Sequence, residues 1–203
     1  MSSDNLDLTS KIAIWCRNNL KYIVIGALIG ITIPLSWNYY QYTQKIKNVL
    51  ASDLYAQLIN LTSTEDEYKN IADKISQDHK DSIYDVLSKF ILSKLEFENK
   101  NYEGAKAHLE DIINIDINET YNSLATIKIS LINIEEKKYD EALILLENVD
   151  LEDAFKPVIL ELKGDIYKFK GDKEKSLNFY NQALSSSSVD NENLLMKKNS
   201  VKK

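Results

Sequence analysis

Leu162-Lys-Gly-Asp-Ile-Tyr-Lys-Phe-Lys-Gly-Asp-Lys-Glu-Lys-Ser-Leu-Asn-Phe-Tyr-Asn-Gln-Ala183 reads as two helices and the turn that reverses the chain between them. Gly164 is followed by Tyr167 three positions on, Ser176 nine on, Tyr180 four on and Ala183 three on, with Gly171-Asp172 at the turn. The same steps recur twice upstream. Ser93, Glu96, Ala105, Leu109 and Ile112 form one block, with Asn101 before Tyr102 at its turn. Ser130, Asn133, Ala142, Leu146 and Val149 form another, with Lys138 before Tyr139. Ala105 to Ala142 is 37 residues and Ala142 to Ser176 is 34, a period that calls for a repeat architecture. Small residues let two antiparallel helices approach closely, and large ones fill the space between neighbouring pairs.

Three such blocks in register resemble the tetratricopeptide repeat over about residues 83–188. Glu96 and Asn133 stand where an aromatic is usual, and the proline expected at each repeat's end is missing. The fold class expected is therefore all-α: an α-solenoid of antiparallel helix pairs, with three degenerate repeats over 81–188.

Upstream, Gln77-Asp-His-Lys-Asp81 reads as a loop, preceded by a helix pair over 41–80. Ile46, Val49, Leu50, Leu54, Leu58 and Leu61 recur at three- and four-residue steps, predicting one apolar face on its first helix. Ser63-Thr64 ends that helix, and Thr64-x-x-Glu67 reads as a capping box for the second, whose stripe is Tyr68, Ile71, Ala72 and Ile75.

Further upstream, no charge occurs from Tyr22 to Trp37. A hydrocarbon core of roughly 30 Å needs about 17–25 mostly apolar residues, so 20–40 is expected to be a single transmembrane helix. Tyr22 at one end and Trp37, Tyr39 and Tyr40 at the other suit the headgroup zone. A buried core helix would show a polar face, which this run lacks. A cleaved signal peptide would have a shorter apolar region and a small-residue cleavage site, and Cys16 precedes the run, whereas a lipid-accepting cysteine follows it. Lys11, Arg17 and Lys21 on the near side outnumber Lys45 and Lys47 on the far side, favouring residues 1–19 as a short cytoplasmic tail. Gly26 and Gly30, four apart, are the candidate transmembrane contact with another helix.

The chain has 203 residues, a net charge of −6, five glycines and two prolines. Gly26, Gly30 and Pro34 belong to the apolar run, so almost nothing after Tyr40 breaks helices. An acidic domain whose positive charge is lysine is a poor phosphate binder, which argues against nucleic acid as a partner. Cys16, the one cysteine, lies in the tail and reads as an inert thiol. The residues offer no catalytic set and no cofactor, metal or small-molecule site. His79 and His108 are isolated, the glycines form no phosphate loop, and no Gly-x-Ser-x-Gly elbow occurs. Glu65/Lys69 and Glu96/Lys100 read as exposed i,i+4 pairs.

Stacked pairs curve so that the first helix of each lines a concave face. By the repeat register the candidate protein-binding residues are Leu87, Phe90 and Lys94; Leu124, Ile127 and Leu131; Val158, Glu161 and Asp165. They are mostly apolar, with a lysine at one end and two carboxylates at the other. A clamp for acidic chaperone tails needs converging lysines and asparagines, so a groove for an apolar or mixed polypeptide fits better. Part of this set, Leu87, Leu124 and Val158 above all, could equally be core. Residues 189–203 form a C-terminal segment, in which Leu194–Met196 could cover the open apolar end of the stack, and Lys197, Lys198, Lys202 and Lys203 read as a solvated end.

Tail, Gly-x-x-x-Gly anchor ending in aromatics, helix pair, three repeats and the closing Leu194-Leu-Met-Lys-Lys-Asn199 together resemble the bacterial YfgM family, most closely through the Gly-Asp-x-(five residues)-Gly-Asp-Lys core of 164–173. That resemblance implies an ancillary subunit of the SecYEG translocon, held in the inner membrane with its repeat domain in the periplasm. It also implies a membrane-anchored periplasmic PpiD-like chaperone, of the peptidyl-prolyl isomerase type, as a partner in handing over emerging proteins. The alternative is a membrane-tethered repeat adaptor or receptor in envelope assembly, cell division or organellar import.

Overall fold

The computed structural model describes residues 3–60, 65–149, 155–187 and 191–201. Among the described residues there are ten helices and no strand: α1 (Ser3–Asn18), α2 (Leu20–Asn60), α3 (Glu65–Asp78), α4 (Ile83–Glu98), α5 (Tyr102–Ile115), α6 (Glu119–Glu135), α7 (Tyr139–Asn148), α8 (Lys156–Phe169), α9 (Lys173–Ser186) and α10 (Glu192–Val201). The chain divides into two compact units, Met1–Ala51 and Ser52–Lys203. Expectations that fall on Leu61, Ser63, Thr64, Lys202 and Lys203, the capping box among them, lie outside the described residues.

In the first unit, α2 carries the one stretch among the described residues that is long and apolar enough to cross a membrane, and none of that stretch is buried. Such a helix fits a membrane anchor. α2 does not stop at the segment boundary expected at residue 40 but continues to Asn60 with Pro34 inside it, in line with the helical periodicity beyond that boundary. The apolar face expected from 46 to 61 is split: Leu58 is buried and Leu54 half-buried, whereas Ile46, Val49 and Leu50 are exposed. A Cβ added to Gly26 or Gly30 would meet nothing, so that face is open.

The second unit is built from three antiparallel pairs, α4/α5, α6/α7 and α8/α9, flanked by α3 against α4 and α10 against α9. Each pair turns in the same way. Lys100, Lys137 and Gly171 have positive φ (62°, 63° and 82°). The following amide in each case donates back to a carbonyl five residues earlier: Asn101 to Glu96, Lys138 to Asn133 and Asp172 to Tyr167. This Schellman arrangement satisfies carbonyls that a helix end would otherwise leave bare. Side-chain caps then start most of the next helices: Ser82 accepts from Asp85, Asn101 from Gly104, Asp172 from Lys175, and Asn191 from Leu194.

The repeated small residues sit at the closest approaches. Ser93, Ala105, Ser130, Ala142, Gly164 and Ser176 are all buried. The Ser176 hydroxyl donates to the Gly164 carbonyl at 2.8 Å, and a Cβ on Gly164 would come within 2.5 Å of the Tyr180 ring. The core is a row of three clusters, each joining a pair to the next helix. Val86, Leu109 and Ile129 belong to the first, Leu146, Ile159 and Ile166 to the second, and Leu160, Tyr180 and Leu194 to the third. Each stretch of core touches only its neighbours, as in a solenoid.

Glu96 departs from the expectation of an exposed pair with Lys100. It is buried, accepts from Asn101 Nδ2 at 2.7 Å and pairs with Lys69 of α3 at 3.1 Å. A carboxylate is tolerated there because α3 supplies a cation and the turn supplies an amide. The Asn101 hydrogen bond, with Lys69 adding to it against the cost of burial, holds the Glu96 carboxyl below the usual glutamate range.

Candidate protein-binding face

The nine sequence-derived candidates lie on the first helices of the three pairs: Leu87, Phe90 and Lys94 on α4, Leu124, Ile127 and Leu131 on α6, and Val158, Glu161 and Asp165 on α8. Leu87, Phe90 and Leu124 are half-buried, and Lys94 is exposed. Val158 and Leu131 are open, at 44% and 43% exposure. Ile127 is core: at 3% exposure it packs with Ala142, Leu146 and Ile159. Its place on α6 points into the gap that α7 and α8 close, so it lines no groove.

Three of the nine meet. Phe90, Lys94 and Leu131 line a groove of about 350 Å³ between α4 and α6, with Phe97, Lys128 and Glu135 on the same wall and rim. Its floor is apolar and part-exposed. The Phe90 ring lies 6.5 Å from that of Tyr121, and Phe97 lies 5.5 Å from Tyr102, which holds both rings in place. Lys128 Nζ stands 6.0 Å over the Phe90 ring, and Lys94 is 3.7 Å from Glu98. An apolar trough flanked by two ammonium groups and a carboxylate can hold an apolar side chain of a polypeptide and orient its polar neighbours. Phe97, Lys128 and Glu135 were missed, although each continues a candidate's face by one turn: Phe97 lies three beyond Lys94, Lys128 three before Leu131 and Glu135 four beyond it.

Glu161 and Asp165 belong elsewhere. Lys197 of α10 reaches both, at 2.7 Å and 2.6 Å, and Asp165 also accepts the Tyr180 hydroxyl at 2.6 Å. The reading of Lys197 as part of a solvated end is corrected by these contacts. Burial works to lower the Lys197 pKa, but the bonds to Asp165 and Glu161 outweigh it and hold it above the usual lysine value. Leu194 and Val201 of the same helix are buried against α8 and α9, so the helix covers the end of the stack; of the expected 194–196, Leu194 alone does so, because Leu195 and Met196 are exposed.

A second hollow of about 460 Å³ lies among Ser76, Asp85, Lys89 and Asp111. Asp85, Lys89 and Asp111 find partners within it: Ser76 donates to Asp85, and Lys89 pairs with Asp111 at 3.0 Å. Among the described residues no group of histidine, cysteine and carboxylate side chains could hold a metal. Burial, with Lys89 nearby, lowers the His108 pKa.

The description of a tetratricopeptide repeat-like domain matches residues 14–203. An ancillary SecYEG translocon subunit of Neisseria gonorrhoeae is 27% identical over 174 residues, covering 83% of this chain and 83% of that protein. One of Haemophilus influenzae is 27% identical over 175 residues, covering 86% and 85%. Among solved structures, the N-terminal domain of stress-induced protein-1 of C. elegans superposes with a TM-score of 0.47 at 17% identity, over 58% of this chain and 94% of that one.

Proposed function

Because this chain belongs to the tetratricopeptide repeat-like domain family, we propose that it is a non-enzymatic scaffold of the Sec translocon, anchored by α2 and binding polypeptide through the groove between α4 and α6. The translocon association is supported by relatives that carry that name and align over most of both chains. The anchor is supported by the unburied apolar stretch of α2. The observation that carries the binding role is the groove itself, where Phe90, Phe97 and Leu131 leave apolar surface open between two neighbouring helix pairs.

In this reading the short tail is cytoplasmic, the repeat unit is periplasmic, and a membrane-anchored PpiD-like chaperone receives proteins that the scaffold brings to it. Membrane lipid surrounds the apolar stretch of α2. Affinity purification of the full chain from gently solubilised membranes is expected to enrich translocon subunits, and an unenriched preparation would remove the translocon from the account. Protease added to intact and to osmotically opened cells is expected to cut the repeat unit only in the opened ones. Resistance after opening, with cutting only after lysis, would place that unit in the cytosol and favour the receptor alternative.

A further inference from the structure

Residues 8–21 carry three bases, Lys11, Arg17 and Lys21, and neither Asp nor Glu, directly before the run that fits a membrane anchor. Most of them belong to α1, which presents Leu8, Ile12 and Trp15 at steps of four and three, on one face. These three are 55% to 61% exposed, so no described part of the chain covers that face. Lys11 flanks the stripe, Ser10 lies opposite it, and Ile14 stands off it, which keeps the stripe narrow. α1 is also a separate element from α2, jointed at Asn19. The Asn19 amide and side-chain Nδ2 both donate to the Trp15 carbonyl, at 3.0 and 2.9 Å. Its own carbonyl accepts the first bonds of α2, from Tyr22 and Ile23 at 3.0 and 3.1 Å. One residue closes one helix and opens the next, so α1 need not follow the direction of α2.

We propose that α1 lies in the plane of the membrane surface, with Leu8, Ile12 and Trp15 entering the boundary between headgroups and acyl chains of an anionic leaflet. Charge complementarity selects this occupant, since three bases without an acid match the phosphates of anionic phospholipid. Position selects it too. Lys21 Nζ stands 4.9 Å over the Tyr22 ring, a cation and an amphipathic ring at the level where headgroups begin, and the last turn of α1 ends three residues before. Lys11 beside the stripe can lay its stem along the apolar side chains and raise its ammonium to the headgroups. A stripe of three side chains would hold a free peptide weakly, but α2 keeps α1 at the surface, where the effective concentration of lipid is high. The proposal rests on α2 crossing the membrane but not on the groove or on any role in hand-over.

The test uses the full chain with Cys16→Ser, one molecule per lipid nanodisc, and a nitroxide attached through Leu8→Cys, Ile12→Cys or, on the opposite face, Ser10→Cys. Discs are made of phosphatidylethanolamine with phosphatidylglycerol, or of phosphatidylcholine alone. Oxygen, which concentrates among acyl chains, and a water-soluble nickel chelate report the surroundings of each label. In the anionic discs the ratio of oxygen to nickel access is expected to be about threefold or more higher at Leu8 and Ile12 than at Ser10. Ile12→Glu should abolish that excess at Leu8, and discs of phosphatidylcholine alone should roughly halve it. Equal ratios at the three positions, an excess that ignores the lipid charge, or one that appears only in discs holding two chains, overturns the proposal and leaves the anchor standing. Release of the unmodified chain from native membranes by carbonate overturns it as well, by a different failure: that of the crossing helix.

Discussion

Lys100, Lys137 and Gly171 hold the same left-handed turn, yet only the third is the residue that suits it. A side chain there crowds the following carbonyl at about 1–2 kcal/mol, part of which glycine's extra freedom in the unfolded chain offsets. Lys100→Gly and Lys137→Gly should each raise stability by up to about 1 kcal/mol, read as a higher urea midpoint, and Gly171→Ala should lower it by about the same. Glu96 supplies the pH dependence. Its folded pKa lies below the unfolded value of about 4.3, so its contribution is present above that pH and lost as pH falls through the folded pKa. Glu96→Gln should cost about 1–3 kcal/mol at neutral pH, the worth of hydrogen bonds to a charged group, and should flatten the loss of stability on acidification. A slope will remain, because hydrogen bonds from Lys138 and Lys106 also hold Glu136 below the usual range. The turns were legible in the sequence, but the Glu96 site was not. Glu96 looked like an exposed i,i+4 pair because its partner Lys69 is 27 positions upstream, on another helix.

At the scale of elements, α10 is the plainest test of how the stack ends. Leu194 is 1% exposed against Leu160, Tyr180 and Ala183. Leu194→Ala should cost about 2–5 kcal/mol, read as lost amide protection in α8 and α9 before α4 and α5. Lys197→Ala should cost about 1 kcal/mol or less, since its pairs with Glu161 and Asp165 are still partly wet. Protection lost evenly across the whole unit would contradict the neighbour-only packing of the three clusters. The helix pairs were legible because Ser93, Ala105, Ser130, Ala142, Gly164 and Ser176 repeat at helix-crossing spacing, and every one is buried. The groove was half legible. Register alone finds the helices that line a concave face, but it cannot tell Ile127, closed over by α7 and α8, from Leu131 one turn on, which stays open. The run of α2 past residue 40 was legible in the periodicity from Ile46 to Leu58, although the change from apolar to polar composition there marks a boundary between segments.

For the whole molecule, the proposed scaffold joins an apolar helix that fits a membrane anchor to a repeat unit with an open apolar trough between α4 and α6. The family match spans both units, from residue 14 to 203, so anchor and repeats belong to one design rather than to a chance fusion. The central claim is that polypeptide binds in the trough between α4 and α6. Site-specific photo-crosslinking in living cells tests it most directly, with the reactive group at Leu131 in the trough and, for comparison, at Ile144, which is exposed on α7 outside it. The account predicts adducts from Leu131 with translocating chains, translocon subunits or an envelope chaperone, diminished by Phe97→Asp, and few from Ile144. Equal labelling from both positions, or none from Leu131 while secretion is running, would contradict it.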